Sequence, residues 1–489
     1  MNKFIEQIFR DMAERNIEYC HWKSNNNLAD ALDGIDDLDI LVGPESISLF
    51  SELLASKGFR LATDTSNTNN PFVFHFYGMD PDTGLLVHFH VYYRFVTGGS
   101  ILKNHWIPVE RMFLSGIHQS MEIPTPAKEA DLILFVIRKF IEQPSIVEHF
   151  LFRRDYKNIK RELNWLLDGC NRKKIHDLLT AWVPSLSVGL FDDCLDALES
   201  DAGMIRRIKL GCRVRRCFTL TVRAPIRASV VRSIEFFRAY IKGKLKISRK
   251  DRILFPGGRL VAFVGSEASG KSTLSAETAQ WFNKFCDIHH VHLGKPPKTI
   301  YTRGPYFAIK CYSICKKIVN LGRKRKESAE GGSINPQDYE PHPVVAVLDA
   351  IDRYQLLLKC VRKMMKGTIV ITDRYPAIDK LGLDGARIIA GGRLRTILAK
   401  IERRVYARMP VPDLVFKVMA PLDLTLKRNS ERIAPEPENF VRFRYEQAKE
   451  ISFNGAHVIN VDTTESLEET ALNVKWSAWT GKHFRERCQ

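Results

Sequence analysis

An α/β fold with a five-stranded parallel sheet is predicted for residues 255–489. It follows a small α+β domain over residues 1–140 and a helical, basic connector over residues 141–254. Three observations predict this. From Gly257 onward, short apolar runs of strand length alternate with helical spacing, the pattern of parallel strands joined by crossover helices. The first of those runs enters a glycine-bounded loop that opens a helix. Ahead of Gly257, residues 1–140 mix helical and alternating segments, and residues 141–254 carry helical spacing with no strong strand.

The elements follow in order. Phe4, Ile5, Ile8, Phe9 and Met12 fall on one face of a helix over residues 1–18. Residues 39–42 read as a strand that Gly43 and Pro44 end, and Ser46 is placed to cap a helix over 46–57. Residues 72–77 and 85–93 read as a hairpin around Asp80-Pro81-Asp82-Thr83-Gly84, and 127–142 as a helix. In the connector, Ile205, Ile208, Leu210, Val214, Phe218, Val230, Ile234, Phe237 and Ile241 recur among cations, interrupted by Pro225. Beyond it, strands are expected at 259–264, 288–293, 368–372, 413–418 and 457–461. Helices are expected at 270–285, 344–365 and 440–451, with a further start at Pro421. Residues 303–343 read as a basic loop broken by Gly331, Gly332, Pro336 and Pro341.

The chain has 489 residues, which suits two or three cores rather than one. Its net charge of +18 is uneven. Between Arg206 and Arg252 stand sixteen Lys or Arg against two acids, so this stretch supplies most of the excess. A segment of that kind points to an anionic membrane surface or a nucleic acid as partner; solvated cations on a linker are the plainer reading. Ten Cys are scattered without a CxxC pair, which excludes the usual zinc spacing and disfavours a disulfide framework. The N-terminus lacks an apolar signal core and no apolar run approaches spanning length. A cytoplasmic protein, peripheral to a membrane at most, is expected; its oligomeric state, homo-oligomer included, stays open.

The sharpest motif is Gly265-Ser266-Glu267-Ala268-Ser269-Gly270-Lys271-Ser272, followed by Thr273. It fits G-x-x-x-x-G-K-[ST] without mismatch, with a strand before it and a helix after it. Glycines let the backbone turn tightly and aim N–H groups inward, and the helix N-terminus adds positive potential. Lys271 is expected to reach the β- and γ-phosphates of ATP or GTP, and Ser272 to offer its hydroxyl to Mg²⁺.

A second motif is Asp373-Arg374-Tyr375, delivered by an apolar strand to its C-terminal edge, where ligands bind in such sheets. Together the two motifs resemble the thymidylate kinase family of P-loop nucleoside monophosphate kinases over residues 258–475. The resemblance implies a P-loop kinase fold and transfer of a phosphoryl group from ATP to a small acceptor. It implies that Asp373 sits near Mg²⁺ and the reacting phosphates and that Arg374 holds the acceptor phosphate. Glu267 would approach the acceptor, Tyr375 would line its pocket, and Arg428 and Arg432 would act from a mobile lid. Residues 461–464 would meet the donor base. His292 ends the second expected strand, and Asp352-Arg353-Tyr354 repeats the acid-base-Tyr triplet on a helix. Both are read first as structural. The family's thymine-reading segment has no counterpart in residues 376–385, so the acceptor is not fixed.

In the first domain, Trp22-Lys23-Ser24-Asn25 precedes Asp36-Asp37-Leu38-Asp39. Two carboxylates at i and i+2 of a strand share a face. This resembles the nucleotidyltransferase superfamily, which implies a divalent metal held by Asp37 and Asp39. Where that family places a third acid, this chain carries His88 and His90, which read either as replacement ligands or as half-exposed strand residues. The function expected is phosphotransfer to a small phosphorylated or hydroxylated acceptor, with nucleotidyl transfer by the first domain as an added activity. The alternative is a nucleotide-dependent switch or adaptor docked through the basic connector.

Overall fold

The structure is a computed structural model, and it describes residues 1–64, 72–99, 102–118, 123–142, 146–219, 252–320, 342–377, 383–453 and 455–486. The chain forms two compact units, Met1–Arg252 and Ile253–Gln489.

The first unit opens with α1 (Lys3–Glu14), whose apolar stripe Ile5, Ile8, Phe9 and Met12 is buried. The Asn2 side chain caps it, accepting from the Phe4 and Ile5 amides. Then come β1 (Tyr19–His21), α2 (Leu28–Leu32), β2 (Leu38–Val42), α3 (Ile47–Ser56), β3 (Arg60–Asp64), β4 (Val73–Met79) and β5 (Leu86–Tyr92). A two-stranded ribbon, β6 (Val96–Gly99) with β7 (Leu102–Trp106), precedes α4 (Glu110–Ser115), and β8 (Ile117–His118) pairs with β9 (Thr125–Pro126). Strands order β1-β2-β5-β4-β3 in one mixed sheet. Only β2 and β5 pair in parallel; the other three pairings are antiparallel. The expected hairpin is β4–β5. Ser46 does not cap α3: its hydroxyl accepts from the Glu18 amide at 2.9 Å instead, tying the turn after β2 to β1.

Helices continue the unit: α5 (Lys128–Ile141), α6 (Ile146–Leu167), α7 (Arg172–Trp182), α8 (Val188–Glu199) and α9 (Met204–Cys217). They share one core with β1 and β5, because α5 is buried on nearly every side and supplies Leu132, Ile133, Phe135, Val136 and Phe140 to it. Several cations of α9 are spent internally. Arg207 is buried over the Phe152 ring and donates to the Ala202 carbonyl, and Arg215 donates to the Phe140 carbonyl. The rest of the basic connector, from residue 220 to 251, lies outside the described residues.

A short strand, β10 (Arg252–Leu254), leads into the second unit. There β11 (Leu260–Gly265), β12 (Ile288–His292), β13 (Ile369–Asp373), β14 (Leu414–Met419) and β15 (His457–Asp462) make a five-stranded sheet in the order β12-β13-β11-β14-β15, every neighbouring pair parallel. The helices are α10 (Lys271–Phe282), α11 (Ile300–Asn320), α12 (Pro343–Met364), α13 (Arg393–Tyr406), α14 (Leu422–Ser430), α15 (Glu438–Lys449) and α16 (Leu467–Thr480). The first strand is central, so chain order reverses on either side of β11 and a crevice opens at the carboxyl ends of the strands.

The expected loop over 303–343 fails in part, and one helix goes unassigned in the sequence. Residues 300–320 are helical although Gly304 and Pro305 stand inside the run; Pro305 removes one i→i−4 hydrogen bond without ending α11. The remainder of the expected loop, with Arg323, Lys324, Arg325 and Lys326, lies outside the described residues. The sequence assigns no element to α13, six of whose fourteen residues are charged, although Leu398, Ala399, Val405 and Tyr406 keep helical spacing.

Candidate active site

At the carboxyl end of β11 the chain turns through the glycine-bounded loop. Gly265 has φ of +145°, and a Cβ there would stand 1.9 Å from the Val418 carbonyl oxygen on β14. Only glycine fits so close an approach. Ala268 at φ +55° and Gly270 at φ +91° bend the loop back toward α10. Among the described residues the N–H groups of Ala268, Ser269 and Gly270 meet no backbone acceptor. Unpaired N–H groups at a helix N-terminus form an anion cradle.

Lys271 is buried at the first position of α10, and its ammonium donates to the Ser266 carbonyl in the floor of the loop. Burial pulls its pKa down to about 8, against the opposite pull of Glu267. The Ser269 hydroxyl donates to the same Ser266 carbonyl at 3.0 Å.

Strand register brings Asp373 beside Phe263 on one side and His292 on the other. Its Oδ2 accepts from the Ser272 hydroxyl at 2.8 Å and contacts His292 Nδ1 at 3.1 Å. Its Oδ1 is buried and has no hydrogen-bond partner among the described residues. An orphaned carboxylate oxygen beside a serine hydroxyl is a donor set that suits Mg²⁺, which prefers oxygen ligands.

Arg374 follows at φ +76°, a conformation strained for a non-glycine residue and frequent at functional sites. Its amide donates to the Phe263 carbonyl at 3.0 Å, which ties the turn to β11. Its guanidinium lies 3.3 Å from Glu267 and 3.4 Å from Asp384. Arg432 reaches Glu267 at 3.7 Å, and Arg444 on α15 reaches it at 2.7 Å. Three arginines therefore converge on one loop carboxylate. Burial raises the Glu267 pKa, but Arg444 foremost, then Lys271, Arg374 and Arg432, outweigh it and hold the group at about 2.

Neither Arg444 nor Asp384 was singled out from sequence. A signal for Arg444 exists: it lies on the buried stripe of α15, among Val441, Tyr445 and Ala448. An arginine on the apolar face of a helix needs a partner.

The two arginines expected to act together line one cavity but make different contacts. Arg428 binds Thr463, through its hydroxyl at 2.9 Å and its carbonyl at 2.8 Å. Thr463 in turn donates to the Ser269 carbonyl at 3.2 Å. Beside them lies a cavity of about 360 Å³ lined by Ala268, Gly270, Thr273, Arg428, Arg432 and Thr463 among others. It adjoins the loop on the side where the resemblance implies the donor base.

Tyr375 turns away from the solvent of the crevice. It is buried in the core cluster with Leu357 and Val415, and its hydroxyl donates to the Pro410 carbonyl. Arg353 is structural too: buried, it donates to the carbonyls of Leu293, Gly294 and Asp384 and to the Tyr406 hydroxyl. Asp352 accepts from Thr299 and Thr302.

In the first unit, Asp39 is buried and Asp37 half-exposed on the β2 side of the sheet. Asp39 Oδ1 contacts His90 Nδ1 at 2.8 Å and its Oδ2 contacts Lys23 Nζ at 3.2 Å. Asp37 Oδ1 contacts His88 Nδ1 at 2.6 Å.

Among the described residues no helix is long and apolar enough to cross a membrane. No family model matches the chain, and no curated protein matches it. Among solved structures, a thymidylate kinase from Candida albicans is similar at 14% identity and a TM-score of 0.28, over 48% of this chain and 94% of that one.

Proposed function

We propose that the second unit is an ATP-dependent phosphotransferase of the thymidylate kinase-like class, acting on a small phosphorylated acceptor. The observation that carries this reading is the adjacency of two anion sites. One is the phosphate loop with Lys271 buried against its floor. The other is the group of Arg374, Arg432 and Arg444, which share the loop's own Glu267. A donor triphosphate and an acceptor phosphate would then meet across Glu267, and positioning plus charge stabilisation is most of what phosphoryl transfer requires.

In this reading the loop N–H groups and Lys271 bind and orient the donor phosphates. Ser272 and Asp373 Oδ1 would hold Mg²⁺, which when bound neutralises charge on the β- and γ-oxygens. His292 and Ser272 fix the Asp373 carboxylate through its other oxygen. Arg374 and Arg444 orient the acceptor phosphate, and Arg432 offsets charge developing on the transferred group. Arginine is suited to these places because its planar fork binds two phosphate oxygens at once. The cavity beside Thr463 has room for a donor base.

The test is a transfer screen with ³²P-labelled ATP against nucleoside monophosphates and sugar phosphates, run on wild type, Lys271→Ala and Arg374→Ala. Wild type should label at least one acceptor. Lys271→Ala should lose nucleotide affinity, and Arg374→Ala should keep it while losing transfer. ATP binding with no labelled acceptor in any arm would favour a nucleotide-dependent switch instead, and absence of ATP binding would end both readings.

A further inference from the structure

Asp384 closes the acceptor arginines into a ring. Arg374 Nη2 lies 3.3 Å from Glu267, and Arg444 Nη1 lies 2.7 Å from the same carboxylate. The other nitrogen of each fork turns to Asp384: Arg374 Nη1 stands 3.4 Å and Arg444 Nη2 3.9 Å from its Oδ2. Two guanidinia and two carboxylates therefore alternate, and their charges cancel. All four side chains are largely buried, the most exposed being Arg374 at 24%.

The two acids are held differently. Glu267 belongs to the phosphate loop and also meets Arg432 at 3.7 Å. Asp384 is fixed through its backbone. It sits at φ +63°, in the left-handed region, which a non-glycine residue keeps only where its surroundings hold it. Its carbonyl accepts from Arg353 Nη1 at 2.8 Å, and Arg353 is itself buried and bound to the Leu293 and Gly294 carbonyls. The preceding Leu383 is buried in the core, and its carbonyl accepts from the Ala377 amide at 3.2 Å. The Asp384 carboxylate is thus presented to both arginines from a support that lies in the core.

Distance separates gripping from aiming. A charge-assisted N–H···O bond runs at about 2.7–2.9 Å, which Arg444 and Glu267 reach. The contacts of Asp384 are looser and orient each guanidinium through its charge without saturating its donors. Arg444 Nε is buried and has no hydrogen-bond partner among the described residues. A phosphate oxygen would supply the acceptor it lacks. A carboxylate beside the arginines also weakens their pull on any anion.

We infer that Asp384 is a positioning residue of the acceptor site: it holds Arg374 and Arg444 in the orientation that transfer requires and weakens their hold on phosphate while doing so. The inference rests on the phosphotransferase reading, in which these two arginines take the acceptor phosphate.

Two substitutions keep the backbone and change the side chain. Asparagine is common in the left-handed region and glycine is free in it, so Asp384→Asn removes the charge alone and Asp384→Gly removes the carboxylate without added strain. Steady-state transfer to the acceptor that wild type labels is measured on both. Inorganic phosphate is titrated by calorimetry into full-length protein loaded with Mg²⁺ and a non-hydrolysable ATP analogue, so that the phosphate loop is already filled. Both variants should melt as wild type does and bind the analogue equally. Both should bind phosphate roughly 3- to 10-fold tighter and show a lower acceptor KM, because a charge opposing the anion is gone. Turnover, kcat, should fall about 10-fold for Asp384→Asn and further for Asp384→Gly, because the guanidinia are no longer aimed. A purely structural lesion would instead raise KM and weaken binding of the analogue, and that result overturns the inference. Wild-type kcat and phosphate affinity in both variants overturn it as well. If wild type binds the analogue yet labels no acceptor, the phosphotransferase reading falls, and the phosphate titration still decides whether Asp384 opposes an anion at these arginines.

Discussion

Arg444 Nη1 lies 2.7 Å from Glu267 Oε1, so a helix late in the chain reaches into the phosphate loop near its start. No other guanidinium is so close to that carboxylate among the described residues. Removing it should leave Glu267 shared by Arg374 and Arg432 alone. Arg444→Ala is expected to raise the acceptor KM by roughly 10- to 100-fold, the size of a hydrogen bond to a charged group. Nucleotide affinity should change much less. Steady-state kinetics alongside calorimetric ATP binding separate the two, and an equal loss in both would mean Arg444 only props up the loop.

Lys271 makes a pH prediction with a definite sign. Burial lowers its pKa in the free protein to about 8. A triphosphate favours the charged ammonium and raises that value. Binding should therefore take up protons above about pH 8, and affinity should fall as pH rises, by at most about tenfold per unit. Calorimetry at pH 8.5 in buffers of different ionisation enthalpy measures the uptake directly. No uptake would mean that the ammonium does not meet the phosphates.

Arg353 and Tyr375 test stability rather than chemistry. Arg353 is 1% exposed and satisfies three carbonyls and the Tyr406 hydroxyl. Arg353→Met leaves those acceptors buried without a donor, at about 1–3 kcal/mol for each left unsatisfied, and should cost several kcal/mol in urea unfolding. Tyr375→Phe loses one hydrogen bond, to the Pro410 carbonyl, and should cost about 1 kcal/mol with turnover unchanged. A large fall in transfer for Tyr375→Phe would return that residue to the acceptor pocket.

Gly265→Ala should damage the site through the backbone. Its Cβ would meet the Val418 carbonyl at 1.9 Å, and φ of +145° is already unfavourable for a side chain. The pairing of β11 with β14 has to give, so both ATP affinity and melting temperature should drop. Gly257→Ala, whose Cβ would meet nothing within 4 Å although φ is also positive, is the control, expected to cost only backbone strain.

Much of the second unit was legible because its signals are local. A strand, a glycine-bounded loop and a helix follow one another within a few turns of chain, and parallel strands buried on both faces read as continuous apolar runs. Asp373 and Arg374 could be placed because they end such a run. What stayed hidden depends on partners far away in sequence. Asp384 and Arg444 matter through what they touch, and no spacing rule links either to Glu267. Tyr375 sits beside two site residues in sequence, yet it is buried in the core. In the first unit, the acid strand and the hairpin could be read separately. Their register, which sets Asp39 against His90, is a tertiary property.

Thr463 joins two parts that otherwise have separate tasks. Its hydroxyl donates to the Ser269 carbonyl of the phosphate loop, while its own oxygens accept from Arg428. Whatever settles against Thr463 is therefore sensed both by the loop and by the helix that carries Arg428 and leads to Arg432. By thermodynamic reciprocity, an acceptor that draws Arg432 inward must tighten the grip on the donor as much as the donor favours that movement. Occupancy at either end of the crevice should thus be cooperative, with no contact needed between the two ligands.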